Sequence, residues 1–238
     1  MPIRTILFDL DGTLLPMDQD VFTKGYFKAL TARLAPFGLE PKTLIDSIWH
    51  GIGAMVRNDG SRSNEAAFWA DFHARHGQTG RDAEPAFRAF YEEEFDGARV
   101  FCGHNPEAAK TVTALKEMGF RVALATNPIF PTIATQLRLG WAGLTMEDFE
   151  LVTTYENIGF AKPNPAYYRE VARRLGVPPE ECLMVGNDAA EDLIAETVGM
   201  RVFLLTDCLI NTEGKDISAC PQGGFRELME FVRKDMMG

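Results

Sequence analysis

The sequence predicts an α/β fold: a parallel sheet of about five strands, interrupted after its first strand by an inserted helical-bundle cap. Three observations lead there. A short apolar run stands alone near the start, at residues 3 to 9. From about residue 105 onward, similar runs alternate with amphipathic stretches of helical length. Between these regions, residues 17 to 100 carry helical periodicity and no convincing strand. Strands separated by helix-length segments form parallel sheets with helices on both faces, and such strands read as continuous apolar runs. The expected division is 1–16 and 101–238 for the α/β core and 17–100 for the helical cap.

The first strand contains Ile6, Leu7 and Phe8, which must be buried, and it ends in Asp9 and Asp11 within "FDLDGTL". About four helices follow. In "VFTKGYFKALTARLAPFG", Phe22, Tyr26, Leu30 and Leu34 recur every four residues, one face of a helix. "PKTLIDSIWHGI" repeats the pattern with Leu44, Ile45, Ile48, Trp49 and Ile52, and Pro41 suits its first turn. "GIGAMVRNDGSRSN" is turn-rich and reads as a loop. "EAAFWADFHARHG" and "EPAFRAFYEEEF" are two further amphipathic helices. Trp49, Phe68, Trp69 and Phe72 are assigned to the interior of the cap. Lys24, Lys28 and Lys42 fit helix surfaces. His73 and His76 have no acid cluster beside them and are not assigned to a metal.

The core resumes with "NPEAAKTVTALKEMG", a helix stopped by Gly119. Then come the strand "FRVALAT", the helix "PTIATQLRLG" and a short strand "FELVTT". The helix "NPAYYREVARRLG" ends at Gly176. The strand "CLMVG", the helix "EDLIAETVG", the strand "RVFLLT" and the helix "FRELMEFVRK" complete the chain.

Composition narrows the function. The 238 residues are 46% apolar, enough for a substantial core, and the net charge is −10. That balance argues against nonspecific binding to nucleic acid or anionic membrane, since both require a basic patch. Cys102, Cys182, Cys208 and Cys220 form no CxxC pair and read as reduced thiols of a cytoplasmic protein without zinc. No basic leader precedes an apolar stretch, and no apolar run approaches ~18 residues, so neither a secretory signal nor a membrane span is expected. No GxxxxGK[ST] occurs, and "GIGAMVRNDG" lacks the preceding strand that a dinucleotide turn requires. The expected state is a monomer or homodimer.

In an open α/β sheet, ligands bind at the carboxyl ends of the strands. Asp9 and Asp11 follow the first strand, and Thr126 and Asn127 follow the second. Lys162 precedes the helix of "KPNPAYY". Asn187 and Asp188 follow "CLMVG", with Asp192 four residues beyond Asp188. Taken singly, these are a turn, a helix cap, a solvated lysine and an N-capping acid. Their order at successive strand ends is what points to a site. Two acids as close as Asp9 and Asp11 repel unless a positive charge sits between them.

These segments resemble the haloacid dehalogenase superfamily, most of whose members are phosphatases. "FDLDGTL" matches the first family motif residue for residue, "LATN" the second with Thr126 as its hydroxyl, and "KPNPAYY" the third with Lys162. "VGNDAAED" matches the fourth less closely. The resemblance implies a Rossmann-like core and a phosphatase acting on a small phosphorylated substrate with Mg²⁺. Asp9 would attack phosphorus to form an aspartyl-phosphate, and Asp11 would serve as acid and then base. Thr126, Asn127 and Lys162 would bind the phosphoryl group. Asp9, the Asp11 carbonyl and an acid of the fourth motif would hold the metal. The commoner pattern places Asp directly after Gly, where Asn187 stands here. Either Asn187 coordinates through its amide oxygen or a water, or Asp188 is the ligand with Asp192 in support; Asp188 is preferred because a carboxylate is the stronger partner for Mg²⁺. A sugar phosphomutase would share these core motifs and is the alternative within the family. A non-catalytic phospho-ligand-binding or receiver-like signalling protein is the alternative from another class. The early position of the acid pair argues against a receiver.

Overall fold

The structure is a computed structural model and describes residues 2–237. Five parallel strands form one sheet: β1 (Thr5–Phe8), β2 (Arg121–Leu124), β3 (Cys182–Gly186), β4 (Arg201–Leu205) and β5 (Gln222–Gly223), in the order β2-β1-β3-β4-β5. Leu7 lies opposite Ala123 on one side and Met184 on the other.

The period of two along each strand divides the core. Ile6, Phe8, Val122, Leu124, Leu183, Val185, Phe203 and Leu205 point to one apolar layer. Leu7, Ala123, Cys182, Met184, Val202 and Leu204 point to the other. The first layer is covered by α4 (Pro106–Glu117) and α7 (Phe225–Met237), through Val112, Leu115, Leu228 and Val232. The second is covered by α6 (Pro165–Leu175), through Tyr167, Tyr168 and Val171. Residues 192–198, read above as a helix, form a 3-10 helix that ends at Gly199 with φ 97°.

The expected strand at residues 149–154 is a single parallel bridge, Leu124 to Val152. The Glu150 and Thr153 amides donate to Val122 and Leu124. The ladder then ends, because the next amide in register, that of Tyr155, donates to the Phe130 carbonyl at 3.1 Å. Asn157 caps the groups facing away from β2: its Nδ2 donates to the Val152 carbonyl at 2.8 Å and its Oδ1 accepts the Thr154 amide at 3.0 Å. The fifth strand is instead the two-residue β5, which carries no apolar run in the sequence.

Between β1 and α4 lies the helical block. Asp18 caps α1 (Gln19–Leu34) through the Asp20 and Val21 amides. Helix α2 (Pro41–Val56) runs one turn past the expected end, so the loop begins at Arg57. Gly51 lies within α2 and lets the Phe68 ring pass close by; a Cβ there would lie 2.5 Å from that ring. The α3 segment (Asn64–Glu93) is two helices joined at Gly77, whose φ of 56° and ψ of −128° break the spiral. A 3-10 segment, Phe95–Phe101, leads back to the core.

The two connections run side by side, with Met17 bridged to Cys102 and the Gly103 amide donating to the Pro16 carbonyl at 2.7 Å. The interior of the block is continuous with the layer below. Phe130, just ahead of α5 (Thr132–Trp141), lies 5.6 Å from the Tyr26 ring, and Phe95 lies 5.5 Å from Trp141. Trp49 departs from its assignment to this interior, being half exposed. His73 pairs with Glu84 and His76 with Ser47, so the two imidazoles do not form a pair. Among the described residues, no helix is long and apolar enough to cross a membrane.

Candidate active site

The carboxyl end of β1 is held from both sides. The Asp9 amide donates to Val185 at 2.9 Å, and the Ala125 amide donates to Phe8 at 2.7 Å. This places the Asp9 side chain at the rim, only 11% exposed. The chain then turns sharply at Gly12, whose φ is 81°. A Cβ there would meet Asn187 Nδ2 at 2.2 Å, so the first and fourth motifs pack backbone against side chain. Asn187 secures that contact. Its Oδ1 accepts from the Thr13 hydroxyl at 2.9 Å and its Nδ2 donates to the Cys208 carbonyl at 2.8 Å.

Lys162 is fully buried beneath Asp9. Its ammonium donates to Asp9 Oδ1 at 3.1 Å and to Asp192 Oδ1 at 2.7 Å. Asp192 accepts the Asp188 amide on its other oxygen at 3.0 Å, which locks the loop after β3. Asp188 accepts the Ala190 and Glu191 amides at 2.7 and 3.2 Å, while its side chain stays at the cavity edge. Thr126 is buried after β2, its carbonyl held by the Tyr167 and Thr153 hydroxyls, each at 2.8 Å. The sequence-identified residues are thus brought together. Asp9, Asp11, Thr126, Asn127, Asn187 and Asp188 line one cavity of about 320 Å³, and Lys162 lies beneath its floor.

Two residues escaped the sequence reading. Arg138 on α5 is completely buried and ion-paired with Asp11. It also donates to the Ala134 carbonyl and the Thr135 hydroxyl, and stacks over Phe130 at 4.3 Å. The available signal was an arginine on the apolar stripe formed by Ala134, Leu139 and Trp141. Glu191 accepts from Asn127 Nδ2 at 2.8 Å and joins the cavity wall. In the sequence it reads only as another acid of "GNDAAED".

Burial dominates the electrostatics. It pushes the Asp9 carboxyl up to about 7 against the pull of Lys162, with Asp192 and Asp11 adding to the rise. Asp11 is also raised by burial, with Arg138 and Lys162 opposing. Burial carries Glu191 up to about 8, again opposed by Lys162. Burial alone would lower Lys162, but Asp192 and Asp9 outweigh it and hold the ammonium well above its usual value. One ammonium shared between two carboxylates leaves the cavity short of positive charge.

The donors suit a hard cation. Among the described residues, no three His, Cys, Asp or Glu side chains form a ready metal cage. The cavity nevertheless offers carboxylate and amide oxygens and no His or Cys, and among the described residues the buried Asp11 Oδ1 and Asn127 Oδ1 have no hydrogen-bond partner. Carboxylate, carbonyl and amide oxygens of this kind fit Mg²⁺ and suit neither zinc nor copper.

A pH dependence follows. Asp9 and Glu191 have folded values of about 7 and about 8, above their ordinary 3.8 and 4.5. The folded state therefore binds these protons more tightly, and the resulting stability is complete below pH ~4 and lost as pH rises through 7 to 8. Chelator-treated protein should melt several degrees lower at pH 8 than at pH 5, and Mg²⁺ should raise the melting temperature more at pH 8. Glu191→Gln should flatten the slope. Melting temperatures that do not fall between these pH values would contradict the assignment.

Comparison with known proteins agrees with this geometry. Haloacid dehalogenase-like hydrolases match the chain over residues 3–195. Glyceraldehyde 3-phosphate phosphatase of Methanopyrus kandleri is 30% identical over 202 residues, covering 80% of this chain and 78% of that protein. Phosphoglycolate phosphatase 1 of Pseudomonas aeruginosa is 28% identical over 210 residues, covering 85% and 69%. A 2-haloacid dehalogenase from Pseudomonas syringae shares the fold with a TM-score of 0.65 at 22% identity, covering 98% of this chain and 99% of that one. With its residues 3–195 matched and the four motifs gathered around one cavity, this chain belongs to the haloacid dehalogenase-like hydrolases.

Proposed function

We propose that this hydrolase is a Mg²⁺-dependent phosphatase that cleaves a small phosphorylated metabolite through an aspartyl-phosphate on Asp9. The observation that carries the reading is the buried Lys162 ammonium, which fixes one oxygen of Asp9 at the cavity floor and leaves the other free for the substrate. The phosphatase names of the relatives from Methanopyrus kandleri and Pseudomonas aeruginosa support it.

The free Asp9 oxygen forms a bond to phosphorus while the bond to the leaving oxygen breaks. Asp11 gives that oxygen its proton. Its carboxyl is suited to carry one because burial raises it, and Arg138 holds it in place. Water then attacks the phosphorus, its proton passes to Asp11, and Asp9 leaves. Thr126 and Asn127 face the phosphoryl oxygens, and Lys162 keeps Asp9 aligned. Asp9, the Asp11 carbonyl and Asp188 would hold Mg²⁺, which when bound neutralises charge on the phosphoryl oxygens. The helical block of residues 17–100 serves as the cap that closes the cavity from above.

Asp188 is preferred over Asn187 as a ligand because both ends of the Asn187 amide are already engaged. Asp188→Ala should weaken Mg²⁺ binding about tenfold or more. Asn187→Ala should weaken it less while lowering the melting temperature. Magnesium titrations of the two variants in the reverse order would move the ligand to Asn187. The reading as a whole is tested with para-nitrophenyl phosphate: turnover should vanish with chelator and return with Mg²⁺. Full activity after exhaustive chelation overturns the metal dependence, and no turnover in any state overturns the phosphatase.

A further inference from the structure

Resting on the phosphatase reading, we infer that the leaving group is uncharged and apolar, with aromatic alcohols fitting best, and that the cavity rejects leaving groups bearing a carboxylate or a second phosphate. Two independent features of the cavity lead there.

The first is charge. Asp9, Asp11, Asp188 and Glu191 all line the cavity, and no Lys, Arg or His side chain among the described residues does. The two nearby cations are sealed from it. Lys162 and Arg138 have side chains with no exposure at all, and each is paired with a carboxylate of the site. A phosphoryl group can be matched by the Mg²⁺ of the proposed mechanism and by Thr126 and Asn127. A second anion on the same molecule would be desolvated among acids with no cation left to pair with, which is costly.

The second is shape. Opposite the acids the wall is apolar and largely aromatic, with Phe22, Phe27, Trp49, Ile52 and Phe130 facing the cavity. Trp49 is 50% exposed here, although a tryptophan on a helix beside Phe27 would ordinarily be covered. The wall also continues inward. A narrower apolar pocket of about 40 Å³ shares Tyr26, Ile52, Ile129 and Phe130 with the main cavity. An apolar leaving group can cover Trp49 and lie across the mouth of this recess, which a small hydroxy acid would leave uncovered. Selection thus combines attraction for apolar groups with the uncompensated desolvation of anionic ones.

Benzyl phosphate and 2-phosphoglycolate provide a matched test, because both release a primary alkoxide and differ chiefly in ring against carboxylate. With saturating Mg²⁺, kcat/KM for benzyl phosphate should exceed that for 2-phosphoglycolate by at least ~10²-fold. Trp49→Ala should lower benzyl phosphate turnover and narrow the ratio. Ile52→Arg, which places a cation in the wall, should raise kcat/KM for 2-phosphoglycolate by about tenfold while lowering it for benzyl phosphate. Equal or faster hydrolysis of 2-phosphoglycolate by the unmodified enzyme overturns this inference and leaves the phosphatase reading intact. If benzyl phosphate, 2-phosphoglycolate and para-nitrophenyl phosphate all resist hydrolysis, the phosphatase reading falls and takes this inference with it.

Discussion

Asp9→Asn should reduce turnover to background on every substrate, and no covalent phosphate should be recovered from the acid-quenched protein. The substitution keeps the shape of the side chain. It removes the charge and the nucleophilic oxygen pair, and an amide cannot complete the displacement. Stability should move the other way. Asp9 is a carboxyl raised to about 7 by burial, so replacing it with a neutral group removes an unfavourable charge at pH 8. The variant should therefore melt at or above the parent when both are stripped of metal, which separates loss of chemistry from loss of fold. Asp11→Asn should behave differently. It retains the nucleophile and loses proton transfer, worth typically ~10²–10⁴-fold. The loss should be smaller for para-nitrophenyl phosphate, whose leaving group departs without a proton, than for an alkyl phosphate. Covalent phosphate found on Asp11, or equal losses on both substrate types, would exchange or dissolve these roles.

Lys162→Met should damage both fold and chemistry. The ammonium is the shared partner of Asp9 and Asp192, and its removal strands two carboxylates in a buried site. Breaking a buried pair from one side typically costs ~3–5 kcal/mol. The cost should depend on pH with a definite sign. Asp9 already sits above its ordinary value with the lysine present, and without it the carboxyl rises further. The folded variant then gains stability from protonation that is complete at low pH and lost as pH rises. The deficit relative to the parent should accordingly be larger at pH 8 than at pH 5 in urea unfolding. Adding Asp192→Asn should recover part of the stability and none of the turnover, since the two sites share one network. A deficit independent of pH, or a double variant less stable than Lys162→Met alone, would show that the lysine acts by packing and not by charge.

The sequence alone determined the sheet, its four longer strands and the order of the chemical groups along its rim. The reason is local. A strand buried on both faces must be apolar throughout, and the first polar residues after it, Asp9, Thr126 and Asn187, mark where it emerges. Helix ends were equally legible where a glycine had to take a positive φ, as at Gly176. Gly12 also takes a positive φ, in the turn after Asp11, yet its contact with Asn187 spans the molecule and needed the fold to appear. Tertiary structure decided the rest. "FELVTT" has the composition of a strand, but the Tyr155 amide turns to the Phe130 carbonyl and leaves one bridge, while Asn157 caps the outward-facing groups. Trp49 falls on the periodic face of its helix and still stands half exposed, because that face passes the mouth of the cavity before it reaches the interior. Arg138 and Asp11 lie 127 residues apart, and no window of sequence contains both. Glu191 differs from any first-turn acid only through the burial that raises it to about 8. Periodicity and turn chemistry act over a few neighbours and can be read in order along the chain. Desolvation and charge pairing depend on which distant surfaces close over a group, and only the folded chain settles that.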